Sequence, residues 1–175
     1  FVFAPHFNHR FKPAQQVARI LWLDQHLKGG LKLPSTPKSE FGLGKTAVLY
    51  VTPSRELPVK HVEIFYSVDP DPRSRFWRSA GALNLGGHWQ AELEIESLDR
   101  PLFAFANVIY ELPKSVPLPH RGDVKEVCIS SLFHELKPEE LKKTRVQPSG
   151  GPELVIDNFQ RGFRDWYTIN GNHRP

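Results

Sequence analysis

The sequence predicts a mainly β fold: an antiparallel β-sandwich preceded by one amphipathic α-helix. Three observations carry that expectation. From residue 41 onward, apolar side chains alternate with polar ones in short runs, the period of a half-buried strand. Proline and glycine separate those runs, with 16 prolines and 12 glycines among 175 residues. Helical spacing over any length occurs once, from Ala14 to Leu27.

Residues 1–40 have a character of their own. Phe1-Val2-Phe3-Ala4 is an apolar burst closed by Pro5, and it reads as a buried strand. No basic segment or small-residue cleavage site accompanies it, so it does not read as a signal peptide. The loop His6 to Phe11 follows, and Pro13 stands where a first helical residue loses nothing by lacking an N–H. Val17, Ile20, Leu21, Leu23, Leu27 and the ring of Trp22 then form a broad apolar stripe. Gly29-Gly30 ends the helix, because glycine accepts the left-handed terminal conformation. Leu31 to Glu40, with Pro34 and Pro37, reads as a linker. This opening unit lacks a sheet of its own on which to bury its stripe. Its helix is expected to pack on the sandwich or against a second copy of the chain, a homo-oligomer.

Residues 41–146 read as the sandwich. Thr46 to Val51 is a strand, and Val59 to Val68 alternates Val62, Ile64, Tyr66 and Val68 with polar neighbours. Asp69-Pro70-Asp71-Pro72 stops it, since each proline pushes its predecessor out of the helical region. Arg75 to Arg78 opens a short strand. After the Gly86-Gly87 turn, His88 to Ile95 sets Trp89, Ala91, Leu93 and Ile95 against Gln90, Glu92 and Glu94. Trp89 is therefore expected in the core, and Glu92, Glu94 and Glu96 on a wet face. Leu102 to Leu112 is apolar on both parities, which predicts a central strand covered on both sides. Val124 to Leu132 adds another, and Pro138 to Lys143 reads as one helical turn. Six or so short strands at this spacing fit a sandwich of the immunoglobulin or fibronectin type III kind. Residues 147–175 read as a linker followed by a new strand pattern.

Composition narrows the function classes. A hydrophobic content of 39% with 24% charged residues excludes a disordered chain. No run of about 18 apolar residues occurs, which argues against a membrane-spanning helix. The net charge of +4 (23 Lys and Arg less 19 Asp and Glu) is spread out. Its densest run, Lys142-Lys143-x-Arg145, follows two glutamates, so no basic stripe for nucleic acid emerges. The single cysteine, Cys128, allows neither an internal disulfide nor a cysteine zinc site.

Phe3-Ala4-Pro5-x-x-Asn8-His9, the helix ending Trp22-Leu23-Asp24-x-His26-Leu27-Lys28-Gly29-Gly30, and Leu33-Pro34 together resemble the end of an α/β-hydrolase catalytic domain. The nearest groups are the acetyl-xylan-esterase-like, dienelactone-hydrolase-like and PhoPQ-activated pathogenicity-related families. Tyr66-Ser67-x-Asp69-Pro70 and Arg75-Phe76-Trp77-Arg78 are similar to the β-sandwich module that follows the catalytic part in those proteins. The resemblance covers residues 1–135. It implies that His9 corresponds to the triad histidine, with His6 second. No Gly-x-Ser-x-Gly nucleophile turn accompanies it, so the expected role is an accessory, non-catalytic module of a secreted or periplasmic esterase acting on polysaccharide.

The rival expectation is a small hydrolase or a histidine-metal enzyme. His6-x-x-His9 is the one suggestive metal spacing among eight histidines. Glycan is the expected partner, through large flat side chains that stack on sugar rings. Trp77 flanked by Arg75 and Arg78 is one candidate group, since a guanidinium covers an indole favourably. Trp166 and Tyr167 are the other. They fall in a segment, Leu154 to Tyr167, that is similar to the opening of a jelly-roll, galactose-binding-like module. Such modules hold calcium through early acids. Calcium or a histidine-bound transition metal are therefore the candidate ions, with no other cofactor expected.

Overall fold

The computed structural model describes residues 1–5, 11–73 and 75–149. Two antiparallel sheets and one N-terminal helix dominate it, so the chain is mainly β. Helix α1 spans Pro13–Lys28. The strands are β1 (Lys38–Leu43), β2 (Ala47–Thr52), β3 (Val59–Ser67), β4 (Arg78–Ala80), β5 (Leu83–Asn84), β6 (Trp89–Leu93), β7 (Leu102–Leu118), β8 (Gly122–Ser130) and β9 (His134–Leu136). A single turn, α2 (Pro138–Leu141), follows.

The first sheet has the order β1-β2-β6-β5. Its register pairs Ala47 with Leu93, Leu49 with Ala91 and Val51 with Trp89, so these side chains share one face. All but Trp89 are buried, while Tyr50, Glu92 and Glu94 look outward. Trp89 is half-buried at the margin of the core. The β5–β6 hairpin turns on Gly86 and Gly87, whose φ of 71° and 96° favour glycine.

The second sheet has the order β4-β3-β7-β8, with β9 also on β7. Along β7, Leu102, Ala104, Ala106, Val108, Tyr110 and Leu112 belong to the core shared with the first sheet. Phe103, Phe105, Asn107 and Ile109 point the other way and are buried as well. The expectation of a doubly covered strand holds. Burying the apolar surface of each such side chain contributes about 1.5–3 kcal/mol.

Part of the second cover comes from the start of the chain, where Phe3 meets Phe105. Phe1 to Ala4 forms no assigned strand; it runs extended beside β8, with Ser130 N donating to Phe1 O at 2.9 Å. Pro5 has no N–H with which to prolong a ladder. Helix α1 packs on β8 and, at fewer points, on β7. Val17, Ala18 and Leu21 join the central core, so the sheet that receives the helix is the chain's own. The buried stripe is narrower than the sequence pattern, because Trp22, Leu23 and Leu27 remain exposed. Gly29 closes α1 with φ 66°, and Gly30 N donates to Asp24 O.

Two boundaries differ from expectation. The segment read as a linker up to Glu40 already enters β1 at Lys38, where Ser39 pairs with Val51 across the edge. Arg75 to Trp77 stays out of the ladder, and only Arg78 begins a strand. Phe76 N donates to Asp69 Oδ2 and Arg75 Nε to Asp69 O, which draws these residues onto the preceding loop.

Leu21→Ala is expected to cost about 2–4 kcal/mol, the usual effect of truncating a buried leucine. The loss should appear as a lower urea midpoint in a single cooperative transition. An unchanged midpoint would mean that α1 is not part of the core.

Candidate functional site

The outward face of β3 and β7 carries an aromatic cluster. Phe65 stacks on Phe105 with centroids 5.5 Å apart, and Phe103 stacks on Phe133 at 5.6 Å. Trp77 meets Phe105 edge-on at 4.8 Å and Phe133 at 5.9 Å. The Arg75 guanidinium sits 3.6 Å above the Phe103 ring and 5.8 Å from Trp77. Two carbonyls fix it there, since Nε donates to Asp69 O at 2.9 Å and Nη2 to Pro70 O at 3.1 Å. Arg75 and Trp77 therefore meet, but the indole is half-buried among phenyl rings. Arg78 does not join them. It lies opposite Tyr66, on the other side of the sheet, and donates to Glu96 Oε1 at 2.7 Å. That bond raises the Arg78 pKa further, with burial opposing it.

His6, His9, Trp166 and Tyr167 lie outside the described residues. Among the described residues no three His, Cys, Asp or Glu side chains gather as a metal site. Glu92, Glu94 and Glu96 are exposed. One serine–histidine contact does occur: Ser39 Oγ lies 2.7 Å from His134 Nε2. Sequence spacing gives no hint of it, because β1 and β9 are 95 positions apart at these residues. The pair sits in the seam between the sheets, with the imidazole edge-on to Phe41 at 5.7 Å. Among the described residues no carboxylate is bonded to the ring.

The open cleft is elsewhere. Helix α1, the extended N-terminal segment and the stretch Leu33–Thr36 enclose about 980 Å³. Trp22 stands in it, 54% exposed, with the His26 ring 4.6 Å away. Arg19, Trp22 and His26 fall at positions i, i+3 and i+7 of α1, on one face of the helix. Gln25 anchors the opposite wall, its Oε1 accepting from Leu33 N at 2.7 Å. Ser35 on that wall donates to Glu56 Oε1 at 2.6 Å. The hydroxyls of Ser35 and Ser54 lower the Glu56 pKa to about 2. The sequence pattern placed Trp22 within a buried stripe.

Burial lowers the His134 pKa, and a hydrogen bond with the Ser39 backbone opposes this only in part. The unfolded imidazole, near 6.5, thus binds protons at a pH where the folded one does not. This contribution to stability is present above about pH 6.5 and is lost as the pH falls through the folded value. The urea midpoint should drop between pH 7.5 and pH 5, and His134→Gln should flatten part of that slope. Equal slopes in both proteins would contradict the assignment.

Comparison of the chain with family models, curated proteins and solved structures finds no match in any of the three.

Proposed function

We propose that the chain is a non-catalytic, immunoglobulin-like β-sandwich module that binds carbohydrate and accompanies a secreted or periplasmic esterase acting on polysaccharide. The strand order supports the fold part of this reading. First, second, sixth and fifth strands in one sheet, and fourth, third, seventh and eighth in the other, follow the ABED and C′CFG pattern of such sandwiches. The resemblance of residues 1–135 to an esterase end and its following module supports the context.

One observation carries the binding part: the exposed indole of Trp22 in a cleft large enough for a small oligosaccharide. A flat apolar ring beside polar side chains is what a sugar requires, since its C–H face stacks while its hydroxyls stay hydrogen-bonded. The reading moves the stacking role from Trp77, whose ring is engaged by Phe105 and Phe133, to Trp22. The Ser39–His134 contact favours a hydrolytic alternative, which the same experiment addresses.

The chain should be retarded in native gels containing soluble plant polysaccharide. Trp22→Ala should weaken that retention at least tenfold, about 1.4 kcal/mol, whereas Trp77→Phe should not. Turnover of p-nitrophenyl acetate should stay at the buffer rate. Turnover abolished by Ser39→Ala or His134→Gln would replace this reading with that of an enzyme.

A further inference from the structure

We propose that the cleft beside α1 takes an anionic glycan, a polysaccharide carrying uronic acid carboxylates; this rests on the carbohydrate-binding reading above. Among the described residues, those lining the cleft include Arg19 and His26 but neither aspartate nor glutamate. Arg19 is exposed and makes no ion pair among the described residues. Asp24 is paired with Lys28 at 2.8 Å, and Glu56, which keeps its charge behind Ser35, is not among the residues lining the cleft.

Position on the helix adds specificity. Arg19 stands one turn before Trp22 and His26 one turn after it, so both flank the indole along the same face. A hexuronate stacked on that ring projects its carboxylate from the edge of the sugar, within reach of a guanidinium one turn away. The planar guanidinium offers two parallel N–H donors, the geometry a carboxylate accepts. A neutral sugar would satisfy the indole and leave Arg19 unused.

Binding to polygalacturonate and to its fully methyl-esterified form, which differ in charge but not in ring, tests this directly. Soluble neutral xylan is the third ligand. The chain should bind the free acid at least tenfold more tightly than the ester, and the difference should shrink as salt rises from 50 to 500 mM, because exposed charges are screened over a few ångströms at high ionic strength. Arg19→Gln should remove that preference while leaving binding to neutral xylan within about twofold, where about 0.4 kcal/mol separates the two. Lys45→Gln removes an equal charge at the turn between β1 and β2, at the end of β1 remote from Thr36, and should change nothing. Equal affinity for acid and ester, or an equal loss in Arg19→Gln and Lys45→Gln, would overturn the anionic inference while sparing carbohydrate binding. Failure to bind any of the three would overturn both.

Discussion

A small buried hydrogen-bond circuit holds the N-terminal segment, α1 and the second sheet in one arrangement. Phe3 N donates to Ser130 Oγ at 2.7 Å, and Ser130 Oγ donates to Asn107 Oδ1 at 2.5 Å. Asn107 Nδ2 and Gln15 Nε2 both donate to Phe3 O, at 3.1 and 2.9 Å. Asn107 and Ser130 are fully buried, and Gln15 is 5% exposed. Each member left unsatisfied there would cost about 1–3 kcal/mol. Asn107 Nδ2 and Gln15 Nε2 thus find this partner only when Phe3 lies across Asn107 and the first turn of α1 reaches Phe3 O. Apolar contact alone would hold the helix in many orientations; the circuit selects one.

The rest of the architecture follows from that choice. Phe3 carries its ring onto Phe105 at 5.1 Å, which extends the aromatic cluster over the outward face of β7. The first turn of α1 is tied down further by Lys12, whose Nζ lies 3.0 Å from Glu63 Oε1. With its start fixed, the helix turns Val17, Ala18 and Leu21 inward and leaves Arg19, Trp22 and His26 facing the stretch Leu33–Thr36. The cleft is therefore a consequence of how the helix is fastened, and its charge is a consequence of which helix face remains.

The wet face of β6 was legible in the sequence, because Ala91 and Leu93 alternate with Gln90, Glu92 and Glu94, whereas β2 showed itself only as the apolar run Ala47 to Val51. The doubly covered strand was legible from its continuous apolar run. β1 was not, since Lys38, Ser39 and Glu40 are polar and pair along an edge where only one side of the backbone is engaged. Nor was the loop Arg75–Trp77, whose departure from the ladder depends on Asp69, through its carbonyl to Arg75 Nε and its carboxylate to Phe76 N. Helical periodicity counts Trp22 with Leu21 as apolar, but the choice of buried side is made by Gln15, Phe3 and Asn107, residues far apart in sequence. For the same reason the Ser39–His134 contact left no local trace.

Cys128 offers the most direct test of the fastening. It lies on β8, directly across from Ile109 and on the same side as Ser130, and it is 2% exposed. Burial pushes its pKa up to about 12, with Glu63 adding to the rise and Lys12 opposing it. The rate of Cys128 alkylation in native buffer reports whether the N-terminal segment and α1 stay in place over that strand. The account predicts a rate orders of magnitude below that of the urea-unfolded chain, and a marked acceleration in Asn107→Ala under conditions where circular dichroism shows the sheets intact. Alkylation in native buffer as fast as in urea, or a rate untouched by Asn107→Ala, would contradict it.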